Sequence, residues 1–404
     1  MKRVISARSR SAALGCHSGV CSAAPFAAGS GVWLEALDMR VFSRFVDLLG
    51  LRAEFPVLRN LAYLNAGTDG PLPAGAVRAA SEELEREAAD GRTSAHFQRR
   101  NELNDLLREA YARALGAEPA DVALTTCTSD GMAQVIGGLP LGAGDEILTS
   151  DEEHPGLLGA LGAARELHGV AIREVPLAEI AQAVGPRTRL VACSHVGWVS
   201  GSYAPAELAG VEVPVLLDGA QGVGAVPVDV KALGCDAYAG AGQKWLCGPD
   251  GLGMLYVTPE LRAEVAVSRR GYTNLEDPNS GIEASLRADA RRLETMSLSA
   301  EAVACALAAI ELLEAVGWSE LYEAARTLAA RLADELAERG RAVAPRDRTT
   351  LVSFDSADPE AERELLAERG CVVRNIPGRP LLRASVGAWN DENDLERLLG
   401  SLSA

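Results

Sequence analysis

A single lysine, Lys244, stands in the stretch GAGQKWLCGPDGLG (240–253) among small residues, with no acid nearer along the chain than Asp250. The apolar run MLYV (254–257) follows at once. A lysine whose charge is poorly solvated tends to lose its proton, and a neutral amine can attack a carbonyl to form a Schiff base. The glycines suit a backbone pressed against a flat ligand. A glycine-rich turn with a solvated lysine would read the same way, so this stretch has to be weighed with others.

Four other places carry residue types that could share a site with that amine. Thr128 and Ser129, in CTSDGM, fall where a helix should start, and hydroxyls beside free N–H groups make an anion cup suited to phosphate; a plain helix cap needs the same residues. His154 precedes the helix-starting Pro155, where an imidazole could lie flat on an aromatic ring or simply order a loop. Asp218 ends the apolar run VPVLL; a buried acid is costly unless paired, and a cationic heterocycle nitrogen would pair it, although a D-G turn explains it too. Arg383 lies in PLLRASV, a strand otherwise without charge. A planar guanidinium there suits bidentate capture of a carboxylate or an internal salt bridge. Taken together these are a phosphate cup, a ring-stacking group, an acid for a ring nitrogen, an amine for an aldehyde and an arginine for a carboxylate. That inventory is what pyridoxal 5′-phosphate holding an amino acid requires.

The elements that must position these groups follow from the periodicity. A short helix and turn over 39–60 lead to a brief strand entering a loop in YLNAGTDGPLP. Two amphipathic helices, at roughly 74–90 and 97–115, show apolar residues at three- and four-residue spacing. From DVALTT onward short apolar strands alternate with helices through DEILTS, VAIREV, TRLVACSHV, VPVLLDGA and CDAYAGAG. Strands apolar on both sides in such alternation predict an α/β fold with a mostly parallel sheet covered by helices on both faces. In such sheets ligands bind at the carboxyl ends of the strands, which is where Thr128, His154 and Asp218 fall. A helical region over 299–340, broken near Gly317, leads into TTLVSFD, a helix at 358–369, CVVRN, PLLRASV and a final helix from Asp391. That order predicts a smaller α+β domain.

At 404 residues, with 48% hydrophobic and 24% charged residues, the chain has the composition of a globular protein with a large core. Its net charge of −17 argues against nucleic acid or an anionic membrane as partner. No apolar run is long enough to span a bilayer. The eight cysteines form no CxxC pair or Cys/His cluster, so no metal site is expected, and reduced thiols of a cytoplasmic protein are. Residues 1–38 carry Lys2, Arg3, Arg8 and Arg10 but no acid before Glu35. They are expected to be a disordered extension in which Cys16 and Cys21 have no role. Folding should begin near Met39: a segment at 39–62 packing on the small domain, a large cofactor domain at 63–298 and a small domain at 299–404.

Residues 55–400 resemble the class V aminotransferase family of fold-type I pyridoxal-phosphate enzymes. The resemblance rests on YLNAGTDGPLP, LTTCTSDGM, ILTSDEEHPG, CSHVGWVSG, LLDGAQGVGAVPVDV, GQKWLCGPDGLG, DARRLE and LRASVGAWNDENDLERLL. EEHPG, DARRLE and KWLCGPDGLG look most like the cystine/cysteine C–S lyases, and isopenicillin-N-epimerase-like proteins belong to the same group. The resemblance implies a large domain with a seven-stranded type of sheet. It implies that Lys244 carries the cofactor and moves the Cα proton, Asp218 keeps the pyridine nitrogen protonated, Gln221 bonds the ring hydroxyl and His154 stacks on the ring. Thr128 and Ser129 would hold phosphate and Arg383 the substrate carboxylate, with Asn65 and His195 lining the substrate site. RRGYTNLED (269–277) matches a segment that reaches a neighbouring subunit's cofactor, making Thr273 a phosphate ligand in trans and the protein a homodimer. The family's usual Ser or Thr and His are here Ala241 and Gln243; a glutamine can still donate to phosphate or ring. The loop from Asn375 to Leu382, where cysteine desulfurases carry a nucleophilic cysteine, has none, and Cys371 reads as core. The expected activity is therefore a lyase on a small amino acid, cleaving a C–S bond by β-elimination. Amino transfer and epimerisation are the alternatives, and a cofactor-binding protein without turnover is a more distant one.

Overall fold

The structure, a computed structural model, describes residues 46–402; the extension expected over 1–38, with Cys16 and Cys21, lies outside the described residues. Helix α1 (Leu48–Ala53) starts on Asp47, whose carboxylate accepts the Gly50 N–H at 2.7 Å. A 3-10 turn at Pro56–Arg59 then leads into the short strand β1 (Ala62–Tyr63). Helices α2 (Ala74–Asp90) and α3 (Ser94–Leu115) follow, both where the spacing of apolar residues puts them.

The alternating region gives β2 (Val122–Thr125), α4 (Thr128–Gly138), β3 (Glu146–Ser150), α5 (Pro155–His168), β4 (Ala171–Val175), β5 (Thr188–Ser194), β6 (Val215–Asp218), β7 (Ala237–Ala241) and β8 (Gly253–Val257). These strands form one seven-stranded sheet in the order β2-β8-β7-β6-β5-β3-β4. Every residue of β2, β3, β6, β7 and β8 is buried, which is why these strands read as largely apolar runs, whereas β4 at the edge is partly exposed. The pairs β3–β4, β3–β5, β5–β6 and β6–β7 are parallel. Strand β8 runs antiparallel to both β7 and β2. The connection from β7 to β8 is the lysine stretch itself, which returns directly without a crossover helix, and only an antiparallel return is open to such a link.

Helices α4 and α5 cover one face of the sheet, where Met132, Val135, Ile136, Leu157 and Leu161 pack against Ala192, Leu216, Ala239 and Leu255. Beyond α6 (Pro259–Glu264), the helical region divides at Gly317 into α7 (Ala300–Val316) and α8 (Trp318–Glu338). Gly317 has φ of +103°, a conformation that favours glycine. Helix α7 packs along α2 and α3, while α8 packs on β9 (Leu351–Asp355). Then come α9 (Pro359–Glu368), β10 (Cys371–Val372), β11 (Arg374–Asn375), β12 (Leu381–Ser385) and α10 (Glu392–Ser401). Strands β11, β12 and β9 make a three-stranded antiparallel sheet. Strand β1 pairs in parallel with β10, and Arg52 of α1 is ion-paired to Asp394 at 2.8 Å and Asp391 at 3.1 Å. Among the described residues, no helix is long and apolar enough to cross a membrane.

Candidate active site

Strands β2, β3, β5, β6 and β7 point the same way, so their carboxyl ends share one edge of the sheet. The groups singled out in the sequence emerge there in turn: Thr128 after β2, His154 after β3, His195 after β5, Asp218 at the end of β6 and Lys244 after β7. Sheet order reverses where β5 meets β3, which puts a crevice at this edge.

Lys244 is half-buried. Burial lowers its pKa to about 8, opposed by Asp218 and reinforced by Arg383 and Arg374. A minor but usable fraction of the amine is therefore neutral at physiological pH. The lysine loop is braced from the opposite side by residues 65–70: the Gly70 N–H donates to the Gln243 carbonyl at 2.7 Å. A Cβ at Gly70 would come within 2.0 Å of the Lys244 carbonyl oxygen, so only glycine allows this approach. Asp218 is 4% exposed, and one carboxylate oxygen accepts the Ala220 N–H at 2.9 Å. Burial raises its pKa, against the pull of Lys244 and of that N–H. A carboxylate so placed gains by facing a cation.

His154 caps α5 by accepting the Gly156 N–H on Nδ1 at 3.0 Å, which leaves any ring proton on Nε2. Burial, then Lys244, Arg374 and Arg383, press its pKa down to about 4, so the ring is neutral. Thr128 opens α4; its hydroxyl is buried with no partner, and Cys127, the capping residue, makes no side-chain cap bond. Ser129 lies against the start of α5, where a Cβ on Gly156 would come 2.3 Å from its Oγ. Gln243 also carries a buried Oε1 without a partner.

Arg383 is fully buried on β12. Its Nη1 donates to the Trp198 carbonyl at 2.7 Å, whereas Nε and Nη2 have no acceptor. Burial and the neighbouring Arg374 lower its pKa to about 9. Two buried donors on one guanidinium edge are the geometry for a bidentate carboxylate. Gly67 and Ser385 border that edge: a Cβ on Gly67 would come 3.1 Å from Nη2 of Arg383 and 2.7 Å from Oγ of Ser385. Asn65 bridges to Ser385 along the backbone and accepts the Thr68 hydroxyl at 2.8 Å.

Three further residues expected at the site have protein partners of their own. The Gln221 amide is engaged on both sides, Nε2 donating to the Gly67 carbonyl at 2.7 Å and Oε1 accepting the Trp245 indole N–H at 3.1 Å. It joins the 65–70 loop to the lysine loop and has one remaining N–H to offer. His195 is buried, with Nδ1 3.0 Å from the Tyr238 hydroxyl and its pKa lowered by burial to about 4. The Thr273 hydroxyl donates to the Glu294 carbonyl at 2.6 Å, in a cleft lined with Arg100, Arg108, Arg287 and Arg291.

Three residues without a sequence assignment belong to the site. Arg374 is the cross-strand partner of Arg383, and its Nη1 donates to the Thr68 hydroxyl at 3.3 Å. Trp198 presents its ring to His154 (5.1 Å between centroids, interplanar 82°), to Arg374 (5.7 Å) and to Arg383 (6.0 Å). Glu153 is buried beside Asp218, holding the Ser194 N–H at 2.9 Å and the Ser194 hydroxyl at 2.7 Å; burial raises its pKa to about 7. The signal for each was a charged or aromatic residue inside an otherwise apolar or glycine-rich run: CVVRN, HVGWVSG and DEEHPG.

The donor set fits pyridoxal 5′-phosphate. An uncapped helix start with an unpartnered Thr128 hydroxyl suits the phosphate, a buried Asp218 suits the ring nitrogen, and Lys244 suits the aldehyde. The class V aminotransferase model matches residues 62–398. Isopenicillin N epimerase of Streptomyces clavuligerus is 28% identical over 84% of this chain and 94% of its own. A probable cysteine desulfurase of Pseudomonas aeruginosa is 30% identical over 87% and 96%. Among solved structures, C-DES with glycine covalently linked to its pyridoxal-phosphate cofactor superposes with a TM-score of 0.82 at 30% identity, over 86% of this chain and 98% of that one. The same protein, described as a cystine C–S lyase in complex with its product cysteine persulfide, gives 0.80 at 30% identity with the same coverage. The chain belongs to the class V aminotransferase family. It is a pyridoxal-phosphate-dependent enzyme of the fold-type I architecture.

Proposed function

We propose that this enzyme is a lyase that cleaves the C–S bond of a small sulfur amino acid by β-elimination, giving pyruvate and ammonia. The observation that carries the reading is the Arg383 edge: two buried, unpartnered donors beside the depressed amine of Lys244, with a second guanidinium, Arg374, in cross-strand register. Arg383 would take the α-carboxylate in a fork. Arg374 would favour a substrate with a second anionic end, as cystine has. C-DES, the cystine lyase of similar structure, supports this choice of substrate.

When bound, the cofactor supplies a protonated ring that accepts the electron pair left at Cα. The rest falls to the chain. Thr128, Ser129 and the start of α4 would hold the phosphate, with Thr273 of a neighbouring subunit in a homodimer adding to it. Asp218 would keep the ring nitrogen protonated, and Gln221 and Gln243 would hydrogen-bond the ring hydroxyl or the phosphate. His154, neutral and fixed by Gly156, would stack on the ring without competing for a proton. Asn65 and His195 shape the substrate side through Thr68 and Tyr238. Lys244 would take the Cα proton as a free amine; the Cβ–S bonding pair then leaves with sulfur as a thiolate, cysteine persulfide from cystine, and the released enamine takes up water to give pyruvate and ammonia. Cys371 is fully buried against the small sheet, which favours release of sulfur over its transfer to an enzyme thiol.

The test is to incubate purified holoenzyme with L-cystine and no keto acid, measuring pyruvate. Pyruvate matching the cystine consumed is expected. Amino transfer only on adding a keto acid, or racemised amino acid without pyruvate, sinks the reading in favour of a transaminase or an epimerase.

A further inference from the structure

Trp198 is 6% exposed, and its indole N–H has no acceptor. A buried indole N–H normally finds a partner. The residue is not loosely held. Its backbone N–H donates to the Glu152 carbonyl at 3.1 Å, and its own carbonyl receives Arg383. The Glu152 carboxylate gathers the next two N–H groups, of Val199 at 3.1 Å and Ser200 at 2.8 Å. Across the loop, the Thr349 hydroxyl donates to the Gly201 carbonyl at 2.7 Å. A loop anchored to β3 on one side and to the strand region at 349–353 on the other holds the indole in one place, between His154 and two arginines.

We infer that Trp198 is a specificity-determining residue: its ring forms a wall of the substrate pocket, and its indole N–H donates, alongside Arg374, to the substrate's acceptor group beyond Cβ. This rests on the reading that Arg383 holds the α-carboxylate. The pocket then discriminates by what lies past Cβ. An amino acid with a carboxylate there meets a half-buried cation and a buried neutral donor; one ending at Cβ leaves the indole N–H unanswered. A buried donor left unpaired is where such sites gain their selectivity.

Trp198→Phe keeps an aromatic ring under both guanidinia and removes only the N–H. Two probes are titrated into wild-type and variant holoenzyme, following cofactor absorbance at equilibrium: L-alanine, which stops at Cβ, and meso-2,6-diaminopimelate, which carries a distal carboxylate and no C–S bond. The variant should bind the dicarboxylate roughly tenfold more weakly, the scale of one hydrogen bond to a charged acceptor, and L-alanine within about twofold of wild type by the same reasoning. Equal weakening of both probes, or of neither, overturns the inference. Trp198→His, which restores a ring N–H, should recover part of the preference; a variant no better than phenylalanine counts against it. Arg383→Gln separates the two readings. Loss of L-alanine binding there upholds the carboxylate fork, whereas unchanged L-alanine binding overturns the fork whatever Trp198 does.

Discussion

Lys244 owes its chemistry to a balance between burial, which lowers its pKa to about 8, and Asp218, which resists. Below that value each pH unit removes about nine-tenths of the neutral amine. The rate at which apoprotein captures the cofactor aldehyde should therefore climb about tenfold per unit up to pH 8 and then level. Lys244→Ala should lose roughly 10³-fold in turnover, the usual contribution of a positioned base, while still taking up cofactor noncovalently. Glu153 carries a different signature. Its folded pKa of about 7 lies above the ordinary 4.5, so its protonated form favours the fold. That stability is full below pH 4.5 and lost as pH rises through about 7. Glu153→Gln, which cannot ionise, should flatten the decline in melting temperature between pH 5 and pH 8; an unchanged slope would place the titration elsewhere.

At the scale of elements, the site is made by loops clamped to strand ends. Gly67 and Gly70 let the 65–70 loop press on Arg383 and on the lysine loop. Gly70→Ala should cost about 1–3 kcal/mol of stability, as overpacking does, and weaken cofactor binding with it; chemical denaturation and cofactor titration report the two. Most strands and helices were legible because apolar runs bounded by turns suffice to mark them, down to the break at Gly317. The antiparallel sense of β8 was not, since direction depends on how the lysine loop folds back. Lys244, Asp218 and Arg383 could be picked out because a charge in an apolar run needs a reason. Arg374 escaped: it closes the run GCVVR, and only the register of β11 against β12 sets it beside Arg383. Trp198 escaped because an indole in a glycine-flanked loop has nothing in the local sequence to say what it faces. The two protein partners of the Gln221 amide, Gly67 and Trp245, are disclosed by no spacing rule.

For the whole molecule, the surroundings of Thr273 matter most. It lines an arginine-rich cleft with Arg100, Arg108, Arg287 and Arg291, and we propose that this cleft serves the cofactor of a neighbouring subunit. The protein should run in solution as a dimer of the 42.3 kDa chain. Thr273→Val should weaken cofactor retention by roughly tenfold if one hydrogen bond to phosphate is lost. Co-expressing Lys244→Ala and Thr273→Val chains with different tags should restore partial activity in the hybrid, because one of its two sites is then intact. Activity no higher than in the parent variants would mean each chain works alone.

The antiparallel neighbours β11 and β12 set two guanidinium groups side by side under one indole ring, a repulsion that an incoming anion relieves. Ligands should therefore act as structural glue in proportion to their negative charge, and a thermal-shift series from glycine to aspartate to a longer dicarboxylate would rank the amino acids this pocket was shaped around before any turnover is measured.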